Sequence, residues 1–174
     1  MTRPSLVGAL EEVLLQGRTL LCTLGSQAYA RSLDEPSGAS LGAHYRHVLD
    51  HFLCLLEGIQ TGQINYDQRQ RSPELESSVP AALRATDRLL QQFRQLPTDM
   101  LQRPCTVVYS VAYGESDTVA VASNLAREIM FCVGHAIHHY AILKLLCAGM
   151  AVELPYEFGV APSTLRYQEA GMAG

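Results

Sequence analysis

The stretch REIMFCVGHAIHHYAI, residues 127–142, decides the fold. Successive residues of an α-helix rotate by about 100°, so with His135 as origin Glu128, Cys132, His139, Ile142 and Leu146 fall within about 60° of it. Most of that stripe is apolar and is expected to face a core. His135 and His139 lie about 40° apart and one turn along the axis, so both reach one point in space. A buried imidazole is costly unless its nitrogens have partners, and two on one stripe need a common reason.

The other three histidines also cluster, as His44, His47 and His51 in SLGAHYRHVLDHF, residues 40–52. Imidazole suits divalent transition metals, and an HxxxH pair plus one histidine from another helix makes a three-ligand site with open positions. The third ligand stays open on the residues alone. The apolar arc of Leu41, Val48, Phe52, Leu55 and Ile59 centres closer to His44 and His51 than to His47, and periodicity prefers His51. His47 sits nearer the polar edge shared with Arg46 and Asp50. Cys132, one turn before His135, is a candidate fourth ligand, although a thiol on an apolar face is usually packing. His138 lies about 60° from His135 in the opposite sense to His139 and suits hydrogen bonding around the ligands.

Outward from these clusters, apolar residues recur at helical period from Ser5 to about Arg31, behind Pro4. DEPSGAS, residues 34–40, is a turn that offers Ser37 or Ser40 as the cap of a second helix, which runs to Glu57 and stops at Gly58 or Gly62. TGQINYDQRQRSP, residues 61–73, reads as a long polar connection, and a third helix follows from Pro73 to about Gln95. CTVVYSVAY (105–113), GESD (114–117) and TVAVA (118–122) read as a short hairpin or irregular extended chain. Ser123 caps a long fourth helix through Cys147, ended by Gly149, and the tail reads as mostly irregular. The expected fold is therefore all-α: one domain, 1–174, a four-helix bundle with an extended or hairpin segment in the long connection before the last helix.

Apolar residues make up 48% of the 174 and charged residues 17%, which fits a folded core rather than disorder. A net charge of -4, with 13 scattered Lys and Arg, leaves no surplus for phosphates, so nucleic acid is not an expected partner. No apolar run reads as long enough to cross a bilayer, and no membrane is expected. Five cysteines without CxxC spacing read as reduced thiols of a cytoplasmic protein.

The two histidine strings, with RHVLD at residues 46–50, resemble the DinB and YfiT-like superfamily of four-helix metalloproteins over most of the chain. The resemblance implies one histidine of the second helix together with the HxxxH pair, and so selects His47, His135 and His139. The cofactor it implies is a divalent transition metal, Zn, Ni, Fe or Mn. Members include thiol-dependent S-transferases, a mycothiol-dependent maleylpyruvate isomerase and iron-binding domains, so a low-molecular-weight thiol and a small-molecule substrate are expected. YDQRQR, residues 66–71, and FGVAPSTLRY, residues 158–167, would line the mouth of the site. Arg69, Arg71 or Arg166 could hold a carboxylate there, each being otherwise a solvated charge. Metal-activated water, with His51 or His138 as base, would make a hydrolase instead. The contrasting class is a non-catalytic metal-binding or stress-response module, a homodimer joined through bundle faces.

Overall fold

The computed structural model describes residues 5–32, 38–113 and 117–172. Four long helices dominate: α1 (Leu6–Thr23), α3 (Leu41–Thr61), α5 (Val79–Arg94) and α6 (Leu125–Gly149). They close a ring in which α3 packs on α6 and α5, and α1 packs on those same two. Each buries one face at helical spacing. α1, for example, starts at Ser5, whose Oγ accepts the Gly8 N–H at 2.9 Å, and buries Leu10, Val13, Leu14, Leu20 and Leu21.

The first and third helices are each shorter than the sequence suggested. The first stops at Thr23, and α2 (Ser26–Ala30) restarts it beyond an extended Leu24 and Gly25. The break turns Tyr29 into the core, where its hydroxyl donates to the Leu75 carbonyl at 2.6 Å. The third divides at Ser78 into α4 (Pro73–Ser77) and α5. Pro80 has no N–H and is tolerated only in a first turn, so the helix must begin again there, with Ser78 Oγ accepting from Ala81. α3 starts at Ser40, as one of the two caps expected, while Ser37 lies outside the described residues. It runs past Glu57 to Gly62, whose φ of 77° ends it in the left-handed region.

The all-α expectation is corrected by a three-stranded mixed sheet, order β1 (Gln63–Asn65), β2 (Pro104–Ser110), β3 (Thr118–Asn124). The hairpin β2–β3 is antiparallel, with Val107 opposite Val121, and its turn at 114–116 lies outside the described residues. β1 lies inside what reads as a polar loop. Its only apolar residue is Ile64, and it becomes a strand by pairing parallel to β2, Ile64 opposite Val107, with both side chains buried. A single 3₁₀ turn, Thr98–Gln102, leads into β2.

The cap of α6 is Asn124, whose Oδ1 accepts the Arg127 N–H at 2.9 Å, and not Ser123. An 18-residue window of α6 reaches a mean hydropathy of 1.4, so this helix is long and apolar enough to cross a membrane, contrary to the sequence reading. Here it packs along α1 and α3. The tail is not irregular either: α7 (Pro162–Met172) starts on Pro162. It follows a segment fastened by Phe158 stacking on Tyr140 and by the Gly159 N–H donating to Gln16 Oε1 at 3.0 Å.

The four long helices meet at Gly17. Tyr45 of α3 and Tyr140 of α6 stack at 6.3 Å with their hydroxyls over Gly17 of α1, and Tyr45 Oη bonds Thr86 Oγ1 of α5 at 2.7 Å. A Cβ on residue 17 would overlap both hydroxyls. Gly17→Ala is therefore expected to lose about 1–3 kcal/mol through overpacking. Chemical denaturation checks this, and an unchanged stability would show that the junction has slack.

Candidate metal centre

α3 and α6 run antiparallel, so the two histidine clusters face each other level by level. His44 Nδ1 lies 3.5 Å from His139 Nδ1, and His47 Nε2 lies 2.9 Å from His135 Nε2. The His47 ring is 4.5 Å from that of His139, and His135 is 4.6 Å from His139. One nitrogen from each of His47, His135 and His139 falls within 4.8 Å of the others, so these three can hold one metal ion. The donor chemistry fits: three imidazoles of borderline softness, with no carboxylate or thiolate in the group among the described residues.

The remaining histidines surround this trio. His51 is 4% exposed, its ring 4.0 Å from that of His135, and its Nδ1–H donates to the His47 carbonyl at 2.8 Å. That bond leaves the lone pair on Nε2. The helical wheel was right that His51 is the more buried, but the three nitrogens converge at the half-buried edge of the ring, where His47 stands. His138 is exposed and meets His139 edge-on at 5.5 Å.

Cys132 points away from the trio. Its Sγ lies 3.7 Å from the His51 carbonyl and 3.6 Å from the Tyr66 hydroxyl, and burial pushes its pKa up to about 12, so it stays a thiol. Sequence reasoning passed over the group behind it. Tyr66, delivered by the end of β1, stacks on His51 at 5.3 Å and donates to Glu128 Oε2 at 2.9 Å. Ser123 donates to Glu128 Oε1 at 2.6 Å, which satisfies a carboxylate only 1% exposed. The available signal was Glu128 itself, a charge on the apolar stripe of His135.

Arg69 is half-buried, with Nη1 donating to the Tyr66 carbonyl at 2.6 Å, and its charge reaches His47, His51 and His135. Arg71 is exposed at a φ of 51°. Arg166 is exposed on α7. The tail around Phe158 lines a cleft of about 430 Å³ with Val13, Val133 and Ile137, a cleft that no histidine lines. Of the two segments expected at the site's mouth, only the one with Tyr66 and Arg69 lies there.

Burial, then the neighbouring imidazoles, pushes His47 and His135 down to about 3 and His139 down to about 4. All three are neutral, and so able to ligate, well below the ordinary value of about 6.5. Protons therefore bind the unfolded chain more readily than the folded one. The stability that these lowered values supply is complete above about pH 6.5 and is lost as pH falls toward the folded values. Melting temperatures of metal-free protein should be flat from about pH 6.5 to 8 and fall below that, with a shallower slope in His135→Gln. Equal slopes in the two proteins would contradict the lowered values.

No protein-family model matches the chain. Over 104 residues, 60% of the chain, it is 31% identical to FK506-binding protein 5 of Rhizopus delemar, and that stretch covers 27% of the fungal protein. The chain thus spans about a quarter of that relative's length. Among solved structures it is similar to a DinB-like protein of Bacillus subtilis, YjoA, with a TM-score of 0.62 and 17% identity, covering 90% of this chain and 99% of that one. At that identity the likeness speaks for architecture: the chain has the DinB-like fold.

Proposed function

We propose that the chain is a four-helix-bundle metalloenzyme in which His47, His135 and His139 hold one divalent transition metal and a low-molecular-weight thiol is activated for transfer to a small electrophile. The observation that carries this reading is the convergence of three imidazoles, with no fourth ligand in the group among the described residues. Cys132, the thiol one turn before His135, is engaged elsewhere. A closed fourth position would favour a purely structural ion, and an open one favours chemistry. When bound, such an ion lowers the pKa of a thiol so that the thiolate is available at neutral pH.

The surrounding residues support the same use. His51, held by its Nδ1–H on the His47 carbonyl and by the Tyr66 ring, presents Nε2 as an acceptor for the thiol's proton. Arg69 places a half-buried positive charge beside the site and suits a carboxylate on the thiol or its acceptor. The same His51 would serve water in a hydrolase, the second reading.

Protein purified without added metal should contain about one equivalent by elemental analysis. His135→Ala and His139→Ala should abolish binding, His47→Ala should follow them, and His51→Ala should keep the metal. Full metal in His47→Ala with loss in His51→Ala would reassign the third ligand. A low-molecular-weight thiol should bind the loaded protein at least tenfold more tightly than the metal-free protein by calorimetry. Equal binding would favour the non-catalytic class.

A further inference from the structure

The cleft behind α6 takes no part in the chemistry above. Residues two apart on a helix stand about 200° apart, so Val133 and Ile137 point away from the face that carries His135 and His139. With Val13 of α1 and with Phe158, Val160 and Leu165 of the tail they line a cleft of about 430 Å³. Small-molecule sites usually enclose about 300–1,000 Å³ between mostly apolar walls. Here the walls come from three separate parts of the chain.

Two of those walls are pinned together and the third is not. Phe158 stacks on Tyr140 of α6 at 4.9 Å, and the Gly159 N–H bonds Gln16 of α1. The chain bends at Gly159, φ 68°, where a Cβ would come within 2.6 Å of the Ala141 nitrogen. α7, by contrast, is hardly buried: of residues 162–171 only Leu165 is half-buried, and the rest are exposed. A helix of 11 residues is marginal in water unless it buries a face, and the one side chain that α7 turns inward looks onto the cleft. An apolar body lying there would cover Leu165 and Val160 and supply the packing that α7 lacks.

The rim carries charge of one sign. Glu12 of α1 and Glu157 of the tail both line the cleft, both are exposed, and neither has an ion-pair partner among the described residues. Lys144 is turned to Tyr156, where it bonds the carbonyl and lies 5.4 Å from the ring centre. No Lys or Arg is among the residues that line the cleft.

We infer that this cleft binds an amphipathic cation, an aryl or alkyl body that ends in a protonated amine. The body lies against Val133, Ile137 and Leu165, and the ammonium group stays at the mouth with Glu12 and Glu157. Because both carboxylates are exposed, they add little affinity and act by selecting the sign of the charge, while the apolar body supplies most of the binding. The site does not depend on the reading of the three histidines, since no histidine lines it.

The test titrates the full chain with 4-phenylbutylamine, its neutral counterpart 4-phenylbutanol and the anion 4-phenylbutyrate, following backbone amides by NMR at low salt. The amine should bind about fivefold more tightly than the alcohol, and the anion most weakly, with shifts centred on Val133, Ile137 and Gly159. Saturation with the amine should slow amide exchange along α7. Glu12→Gln combined with Glu157→Gln should make amine and alcohol bind equally while leaving the alcohol's affinity unchanged. Ala9→Leu and, separately, Thr19→Leu enlarge side chains that line the cleft, and each should abolish most binding of both probes with helix content unchanged. No binding by any probe, equal affinities of amine and alcohol in wild type, or an amine preference that survives the double substitution overturns the assignment. Unchanged binding in both enlarged variants, or unchanged exchange of α7 at saturation, does the same.

Discussion

The register between α3 and α6 is the constraint on which the rest depends, and it is set where two tyrosine hydroxyls share the space above Gly17. Stacking Tyr45 on Tyr140 puts the two helices level at that point. Because the helices are antiparallel, each further turn of α3 meets the preceding turn of α6. His44 reaches His139, His47 reaches His135, and His51 reaches Phe131. A shift by one turn, about 5.4 Å, would break the pairing of His44 with His139 and of His47 with His135, so the polar junction in the core governs which imidazoles meet at the edge.

The sheet completes the site from a second direction. β1 is only three residues long, yet its pairing with β2 fixes where the chain emerges and so places Tyr66 against His51. Tyr66 in turn is held by Glu128, which Ser123 at the end of β3 also bonds. A buried carboxylate with both oxygens satisfied links strand, loop and helix, and it orients His51 through an aromatic face. The histidines are thus supported on one side by helix packing and on the other by a hydrogen-bonded relay.

Much of this was legible in the sequence because it is local. The HxxxH spacing of His135 and His139, the Ser40 cap and the β-branched hairpin are all written in neighbouring residues. What escaped depends on partners distant in the chain. QIN becomes a strand only because β2 lies beside it, and Glu128 is tolerable in the core only because Tyr66 and Ser123 arrive there. The wheel ranks burial and so favours His51, whereas the grouped nitrogens of His47, His135 and His139 lie at a half-exposed edge. The breaks at Leu24 and Ser78 had local signals in Gly25 and Pro80, outweighed by apolar periodicity that continues across them.

The parallel pairing of β1 with β2 bears on how the chain assembles. Parallel neighbours require a crossover, and here the crossover consists of α4, α5 and the 3₁₀ turn, so it includes one whole wall of the ring. β1 meets its partner only across the chain length of that wall, and contacts of such long sequence separation are slow to close. Tyr66 reaches His51 through that pairing, whereas His47 and His135 are brought together by the direct packing of α3 on α6. A folding intermediate that held either histidine cluster alone would have no use for an ion. An ion held by residues of both clusters would therefore bind the finished molecule in preference to the unfolded chain and would act as a latch on the whole topology.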